Sequence, residues 1–307
     1  MYGVIAQAGA LIAIGVAWRR LRPMGLEADD VRPALTGLVY IVLLPALVLS
    51  VLWGADLGLD TLRLAVVAAA CVLAGLVLGW AACRLLRIPP AAAGALILAA
   101  GFGNFTYLGL PLLEASFGAW GREVAIQFDL FAATPLLLTL GVAIAAAHGH
   151  AQRQEGALAA VARVPALWAA AAGVALNLGG VPTSAWLVGL LETLAAGVVP
   201  LMLISTGLAL QGVAGWQRRL GQVAPVLAIR LALIPLGVAW FAAVVGLDGE
   251  LWRATVIESA MPSMVIGLVI AERYGLDTRL YAEAVTLSTA AAAVTLPLWF
   301  TALGGWL

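Results

Sequence analysis

Lysine is absent from this 307-residue chain, and charge of either sign is scarce. Sixteen arginines and sixteen acids make up 10% of it and leave no net charge. A soluble domain carries about 25% charged residues, so a water-solvated globular fold is excluded. Lipid is the main solvent of a chain that is 64% hydrophobic with a mean hydropathy of +1.05. With no polybasic tail there is nothing to hold nucleic acid. The only cysteines, Cys71 and Cys83, lie on one predicted helix about 18 Å apart at 1.5 Å per residue. That is too far for a disulfide, and no histidine or further thiol is near enough in sequence to complete a metal site. Both read as packing residues, and no cofactor or metal is expected. His148 and His150 sit beside Arg153 and Glu155 in a predicted loop and read as solvated.

Catalytic signatures are missing too. The chain contains no HExxH, no Gly-x-Ser-x-Gly and no paired-aspartate motif, which argues against an intramembrane enzyme. It has no Walker motif to drive work with ATP, and no soluble segment to serve as a sensor's output domain. The first apolar run lacks a basic start and a small-residue cleavage site and is followed directly by Arg19, Arg20 and Arg22, so it reads as a retained helix.

What is present is apolar length. Crossing a hydrocarbon core takes about 20 apolar residues, and ten segments qualify: 2–21, 32–53, 62–86, 91–117, 123–147, 158–179, 184–211, 219–246, 251–273 and 280–305. The loops after spans 1, 3, 5, 7 and 9 hold twelve arginines, and the opposite side holds three, Arg63, Arg122 and Arg253. By the positive-inside rule the first group is cytoplasmic and both termini face out.

The spans repeat. Pro45 to Ser50 in span 2 matches Pro200 to Ser205 in span 7 at an offset of 155, which also carries Asn104 to Ser259 beside Met261-Pro262. Gly15-Val-Ala in span 1 matches Gly173-Val-Ala in span 6 at an offset of 158, and Trp80 and Trp240 end spans 3 and 8. The order and spacing predict two five-helix units, residues 1–147 and 158–307, joined by a cytoplasmic linker at 148–157. Five is odd, so the second unit enters the membrane inverted, the architecture of alternating-access transporters.

Span 4 contains Gly101-Phe-Gly-Asn-Phe-Thr-Tyr-Leu-Gly-Leu-Pro111, and span 9 contains Met261-Pro262. Both should break near mid-membrane. A break frees carbonyls on one half and N–H groups on the other, and such backbone survives in lipid only when buried in protein or facing a cavity. Two breaks meeting at the midplane satisfy one another and aim two positive half-helix ends at a cavity, with Pro262 suited to the first turn of a half-helix. That arrangement favours an anion.

Ionisable residues inside spans are functional candidates by default. Arg230, near mid-depth of span 8, reads either as a carboxylate holder or as a structural partner of Glu258, Asp129 or Glu192. Glu258, four residues before Pro262, reads as a proton carrier or as the partner of Arg230, and Asp129 is the next candidate for protonation. Glu192 and Glu283 lie nearer span ends and read as reaching water, while Trp18, Trp53 and Trp299 read as interface anchors.

These residues resemble the auxin efflux carrier family, which includes bacterial permeases and the plant PIN-FORMED carriers. The resemblance lies in Leu43-Leu-Pro-Ala-Leu-Val-Leu49, Asn104-Phe-Thr-Tyr-Leu-Gly-Leu-Pro-Leu-Leu113, Asn177-Leu-Gly-Gly-Val-Pro182, Pro200 to Gly207, Ala260-Met-Pro-Ser263 and Thr295-Leu-Pro297, and it covers nearly the whole chain. It implies an all-α integral membrane protein of ten helices, with spans 4 and 9 crossing at their breaks, spans 3–5 and 8–10 moving against a scaffold of spans 1, 2, 6 and 7, and small organic anions as cargo. Asn104 matches the crossover asparagine that contacts substrate in the plant carriers, and Gln127 matches a glutamine lining their site.

The substrate-binding set expected from motif and position is then Asn104, Thr106, Gln127, Arg230, Ser259, Pro262 and Ser263, with Glu258 and Asp129 for coupling and Pro45, Ser50, Pro200 and Ser205 facing the scaffold. The expected partners are a small carboxylate, the bilayer of a bacterial inner membrane, and a second copy through the scaffold helices. Two departures bear on specificity: the long regulatory loop of many plant carriers shrinks to about ten residues, and Glu258 stands where they tend to have an amide. Sodium coupling, with Glu258 as cation ligand as in the related bile-acid symporters, or cation/proton antiport, is the alternative. The topology is testable: a cysteine at Gln154 should react with an impermeant thiol reagent only from the cytoplasmic side, and labelling from outside would reverse the orientation.

Overall fold

In the computed structural model the chain is described over residues 2–55, 57–149, 162–210, 217 and 219–304. It is all-helical, with no strand among the described residues beyond one isolated bridge. The helices are α1 (Tyr2–Leu21), α2 (Ala28–Gly54), α3 (Leu59–Leu85), α4 (Pro90–Gly101), α5 (Leu110–Phe117), α6 (Ala119–His148), α7 (Pro165–Leu178), α8 (Ala185–Ala209), α9 (Leu220–Val245), α10 (Gly249–Ser259), α11 (Gly267–Tyr274) and α12 (Thr278–Gly304). Six of them, α2, α3, α6, α8, α9 and α12, are long and apolar enough to cross a bilayer unaided. The segments expected as spans 4 and 9 are interrupted, as α4 with α5 and α10 with α11. Most of the expected linker lies outside the described residues.

Prolines shape the long helices. Five-residue π turns occupy Val39–Leu43, Phe105–Gly109, Asp129–Ala133 and Ile229–Leu233, each ending two residues before a proline, namely Pro45, Pro111, Pro135 and Pro235. A proline inside a helix removes one N–H and its ring pushes against the carbonyl four residues back, and a widened turn absorbs the clash without ending the helix. Leu231, four residues before Pro235, instead receives the indole N–H of Trp299 at 2.8 Å. Trp299, read from the sequence as an interface anchor, therefore also ties α12 to α9. Trp53 likewise donates to the Val181 carbonyl at 2.9 Å, and Asn177 returns two bonds to the carbonyls of Trp53 and Ala55 at 2.9 and 2.8 Å. The Asn177–Pro182 motif thus fastens the end of α2.

Small residues set the closest packing. α1 crosses α8 where Gly15 lies against the Ile204 carbonyl and Gly207 against that of Ile12, with no room for a Cβ at either. α7 crosses α2 where Gly173 lies against the Leu49 carbonyl. Leu49 and Ile204 are 155 residues apart, the same offset that relates the Pro45 and Pro200 motifs, so the two glycines of the repeated Gly-Val-Ala pack on corresponding positions. Ser205 is buried and hydrogen-bonds Thr36 of α2 at 3.0 Å, whereas Ser50 bonds its own Leu47 carbonyl. Overpacking a tight crossing costs about 1–3 kcal/mol. Gly207→Ala should therefore lower the thermal unfolding temperature in detergent, while Gly9→Ala, whose Cβ meets nothing within 4 Å, should leave it unchanged.

Candidate functional site

The two interruptions meet. α4 ends at Gly101, and the non-helical residues Phe102, Gly103 and Asn104 run antiparallel to Pro262, Ser263 and Met264, with Gly103 bridged to Ser263. The Asn104 N–H donates to the Pro262 carbonyl at 2.7 Å, and the Met264 N–H donates to the Phe102 carbonyl at 3.1 Å. The bridged pair at the centre, Gly103 and Ser263, is 160 residues apart, and Asn104 pairs with Pro262, not with the Ser259 that the sequence matches set against it.

Side chains complete the crossing. Ser263 Oγ donates to the Ala99 carbonyl at 2.8 Å, its N–H donates to Ser288 Oγ at 3.1 Å, and the Tyr281 hydroxyl holds the Met264 carbonyl at 2.9 Å. Arg230, fully buried, donates from Nε to the Met261 carbonyl at 2.9 Å and from Nη2 to the Ser259 carbonyl at 2.8 Å. Its guanidinium lies 5.2 Å from the centre of the Phe105 ring. Arg230 therefore caps the carbonyls that the break in span 9 leaves open. No hydrogen bond or close ion pair joins it to Glu258, Asp129 or Glu192 among the described residues.

Beside the crossing is a cavity of about 120 Å³, bounded by α2, the Gly103–Tyr107 stretch, α6, the start of α7 and Met264 with Ile266. Its polar lining is Tyr40, Asn104, Thr106, Tyr107, Asp129 and Thr134. Asp129 accepts hydrogen bonds from Thr106 Oγ1 and, at 2.9 Å, from Thr134 Oγ1. The Asn104 carboxamide nitrogen and the Tyr107 hydroxyl are buried and have no partner. Two spare donors, one acid and no base thus define the lining.

Of the expected site residues, the structure brings Asn104, Thr106 and Asp129 together on this cavity. Arg230, Ser259, Pro262 and Ser263 hold the crossing from behind. Gln127 is buried one turn away and donates to Glu123 at 2.9 Å, toward a separate hollow of about 400 Å³ that Ser50, Arg122, Glu123 and Glu192 help line. Glu258 is fully buried against Gly109, where a Cβ would come 2.5 Å from Oε2, and neither carboxyl oxygen has a hydrogen-bond partner. It interacts electrostatically with Asp129 and Arg230. Glu283 does not reach water: it is 2% exposed and pairs with Arg279 at 3.2 Å and Arg219 at 4.0 Å. Tyr40, Tyr107 and Thr134 escaped the sequence reading, although Tyr107 lies within the Asn104 motif and Thr134 directly precedes Pro135.

Interrupted helices that cross beside a small cavity, with a few polar groups on an otherwise apolar lining, fit a multi-pass membrane transporter. Residues 9–300 match the membrane transport protein family. The chain belongs to that family, whose members are auxin-efflux-carrier-like. It is 30% identical over 292 residues to an uncharacterized transporter of Methanothermobacter thermautotrophicus, covering 92% of this chain and 93% of that one. A second uncharacterized transporter, from Methanocaldococcus jannaschii, is 27% identical over 219 residues, or 70% and 68% of the two chains.

The cap assignment of Arg230 has a direct check. A hydrogen bond from a charged donor is worth about 1.5–3 kcal/mol, so Arg230→Gln should clearly destabilise the purified protein. A second change, Glu258→Gln, should restore little, because the loss is at the Ser259 and Met261 carbonyls. Full thermal recovery in the double variant would mean that a buried ion pair had been broken instead.

Proposed function

We propose that the protein moves small carboxylates across the cell membrane by alternating access, with the carboxylate held in the cavity beside the crossing. The observation that carries this reading is the pair of buried, unpartnered donors, Asn104 Nδ2 and the Tyr107 hydroxyl, both on the cavity wall. A carboxylate supplies the acceptors they lack. The start of the half-helix at Phe105–Tyr107 adds free N–H groups and a favourable dipole end on the same wall.

The reading includes ten spans in two inverted repeats, residues 1–147 and 158–307. The corresponding Gly15 and Gly173 crossings and the mutual hydrogen bonds of the two breaks support it. In it, α1, α2, α7 and α8 form a scaffold, through which a second copy would dock, and the remaining helices carry the site across an inner membrane with both termini outside. Asn104 and Tyr107 bind, and Thr106 orients Asp129. Arg230, Ser259, Pro262 and Ser263 keep the half-helices in register, with Gln127 on the outer approach.

Asp129 supplies the coupling. A charged carboxylate on the wall of a cavity that admits an anion repels it, strongly so at low dielectric, so anion and proton enter together. Glu258, buried behind Gly109, is the second group to test. The same acids would serve the alternative, sodium-coupled symport or cation/proton antiport.

The experiment is uptake of a panel of mono- and dicarboxylates into proteoliposomes with imposed pH or sodium gradients. Uptake should rise as external pH falls, Asp129→Asn should flatten that profile, and Asn104→Ala should weaken affinity about ten- to a hundredfold, the loss of one charge-assisted hydrogen bond. Failure of every carboxylate to bind or move would reject the substrate class. A strict sodium requirement would favour the cation-coupled alternative, and a flat profile in Glu258→Gln with Asp129→Asn unchanged would transfer the coupling role.

A further inference from the structure

The cavity lining contains an acid and no base, which leaves open how an anion approaches it. Arg230 gives Nε and Nη2 to the Met261 and Ser259 carbonyls, keeps a buried Nη1 without a partner, and does not line the cavity. Among the arginines near the start of α2, Arg19 is taken by Asp29 at 2.5 Å and by the Leu208 carbonyl at 2.7 Å, and Arg22 by Glu27 at 3.0 Å. Arg32 is different. It sits inside α2 with its Nε buried and without a hydrogen-bond partner, and no acid pairs with it among the described residues. Two turns further along the same helix, Tyr40 and then Leu44 line the cavity. The Tyr107 hydroxyl, one of the two spare donors, interacts electrostatically with Tyr40, Arg32 and Asp129. Val164 and Ala166 line this end of the cavity, the end that the arginine distribution assigns to the cytoplasm.

A topological arginine should project into the headgroups or pair with an exposed acid. An arginine with a buried, unpaired Nε, within electrostatic reach of a spare donor on a cavity wall, has an unmet need for an anion. We infer that Arg32 is an anion-recruiting residue at the cytoplasmic mouth of the crossover cavity, drawing a carboxylate to the Tyr107 hydroxyl and on to the Asn104 carboxamide. The inference rests on the carboxylate reading above. It also balances charge at the mouth: the guanidinium offsets Asp129 for an anion on its way in, while the innermost position, beside Asn104, is reached without it.

A test that uses no substrate separates this inference from that reading. With a cysteine at Leu138, on the cavity wall, the modification rates of a sulfonate-bearing and a trimethylammonium-bearing methanethiosulfonate are compared. The buried Cys71 and Cys83 supply the background rate measured without the added cysteine. With Arg32 present the anionic reagent should be favoured. Arg32→Gln should cut the anionic-to-cationic ratio about tenfold, in keeping with steering by local charge. Arg32→Lys should preserve the ratio, and raising salt should shrink it. A ratio unchanged in Arg32→Gln overturns the recruiting role, whatever the protein carries. A ratio that falls as expected, together with no carboxylate uptake, keeps Arg32 as the charge at the mouth and rejects the carboxylate reading alone.

Discussion

Two backbone hydrogen bonds, Asn104 N–H to Pro262 and Met264 N–H to Phe102, are the constraint on which the rest of the structure depends. A backbone group left unsatisfied in hydrocarbon costs several kcal/mol, so neither interruption is stable by itself. Each supplies what the other lacks. Because the two bonds are reciprocal, the half-helices leave the crossing in opposed directions, and the cavity with its few polar groups lies beside the gap between them.

The remaining loose ends of the crossing are met by side chains from other helices. Arg230 takes the carbonyls at the end of α10, Ser263 takes Ala99, Ser288 takes the Ser263 N–H, and Tyr281 takes Met264. Arg230 and the stretch holding Thr106, Tyr107 and Gly109 lie in π turns set by Pro235 and Pro111, and Asp129 and Tyr40 lie in those set by Pro135 and Pro45. The extra residue in such a turn reorients side chains that a regular helix would direct elsewhere. The prolines thus do more than kink: they aim the polar residues that build and line the cavity.

The interruptions were legible in the sequence, because Gly101, Gly103, Asn104 and Pro262 in otherwise apolar runs have little other physical use. So were the Gly-Val-Ala repeats, which pack on carbonyls 155 residues apart. The register of the crossing was not legible: in so biased a composition a shared offset slides by several residues, and Asn104 was aligned with Ser259 when the backbone pairs it with Pro262. Arg230 could not be assigned because its acceptors are main-chain carbonyls, which no sequence pattern displays. Glu283 was misjudged for a related reason. Its partners Arg219 and Arg279 approach from α9's start and from one turn earlier on α12, a coincidence of fold that distance along the chain conceals. Tyr40 and Tyr107 passed unremarked because a tyrosine in an apolar helix resembles packing until its hydroxyl is found without a partner.

The cavity's charge pattern orders the roles within the proposed mechanism. Spare donors at Asn104 and Tyr107 call for an acceptor-rich ligand, while Asp129 on the same wall opposes one that is charged. Thr106 and Thr134 both donate to Asp129, so its oxygens have partners when the cavity is empty. In the proposed mechanism an arriving carboxylate changes that balance by Coulomb repulsion, and proton uptake by Asp129 is the relief available without moving the backbone. Because Thr106 stands on the π turn that follows the break, a change in its bond to Asp129 acts on the half-helix leaving the crossing. The charge of a single carboxyl is thereby tied, through one threonine, to the backbone pairing that holds the two halves together.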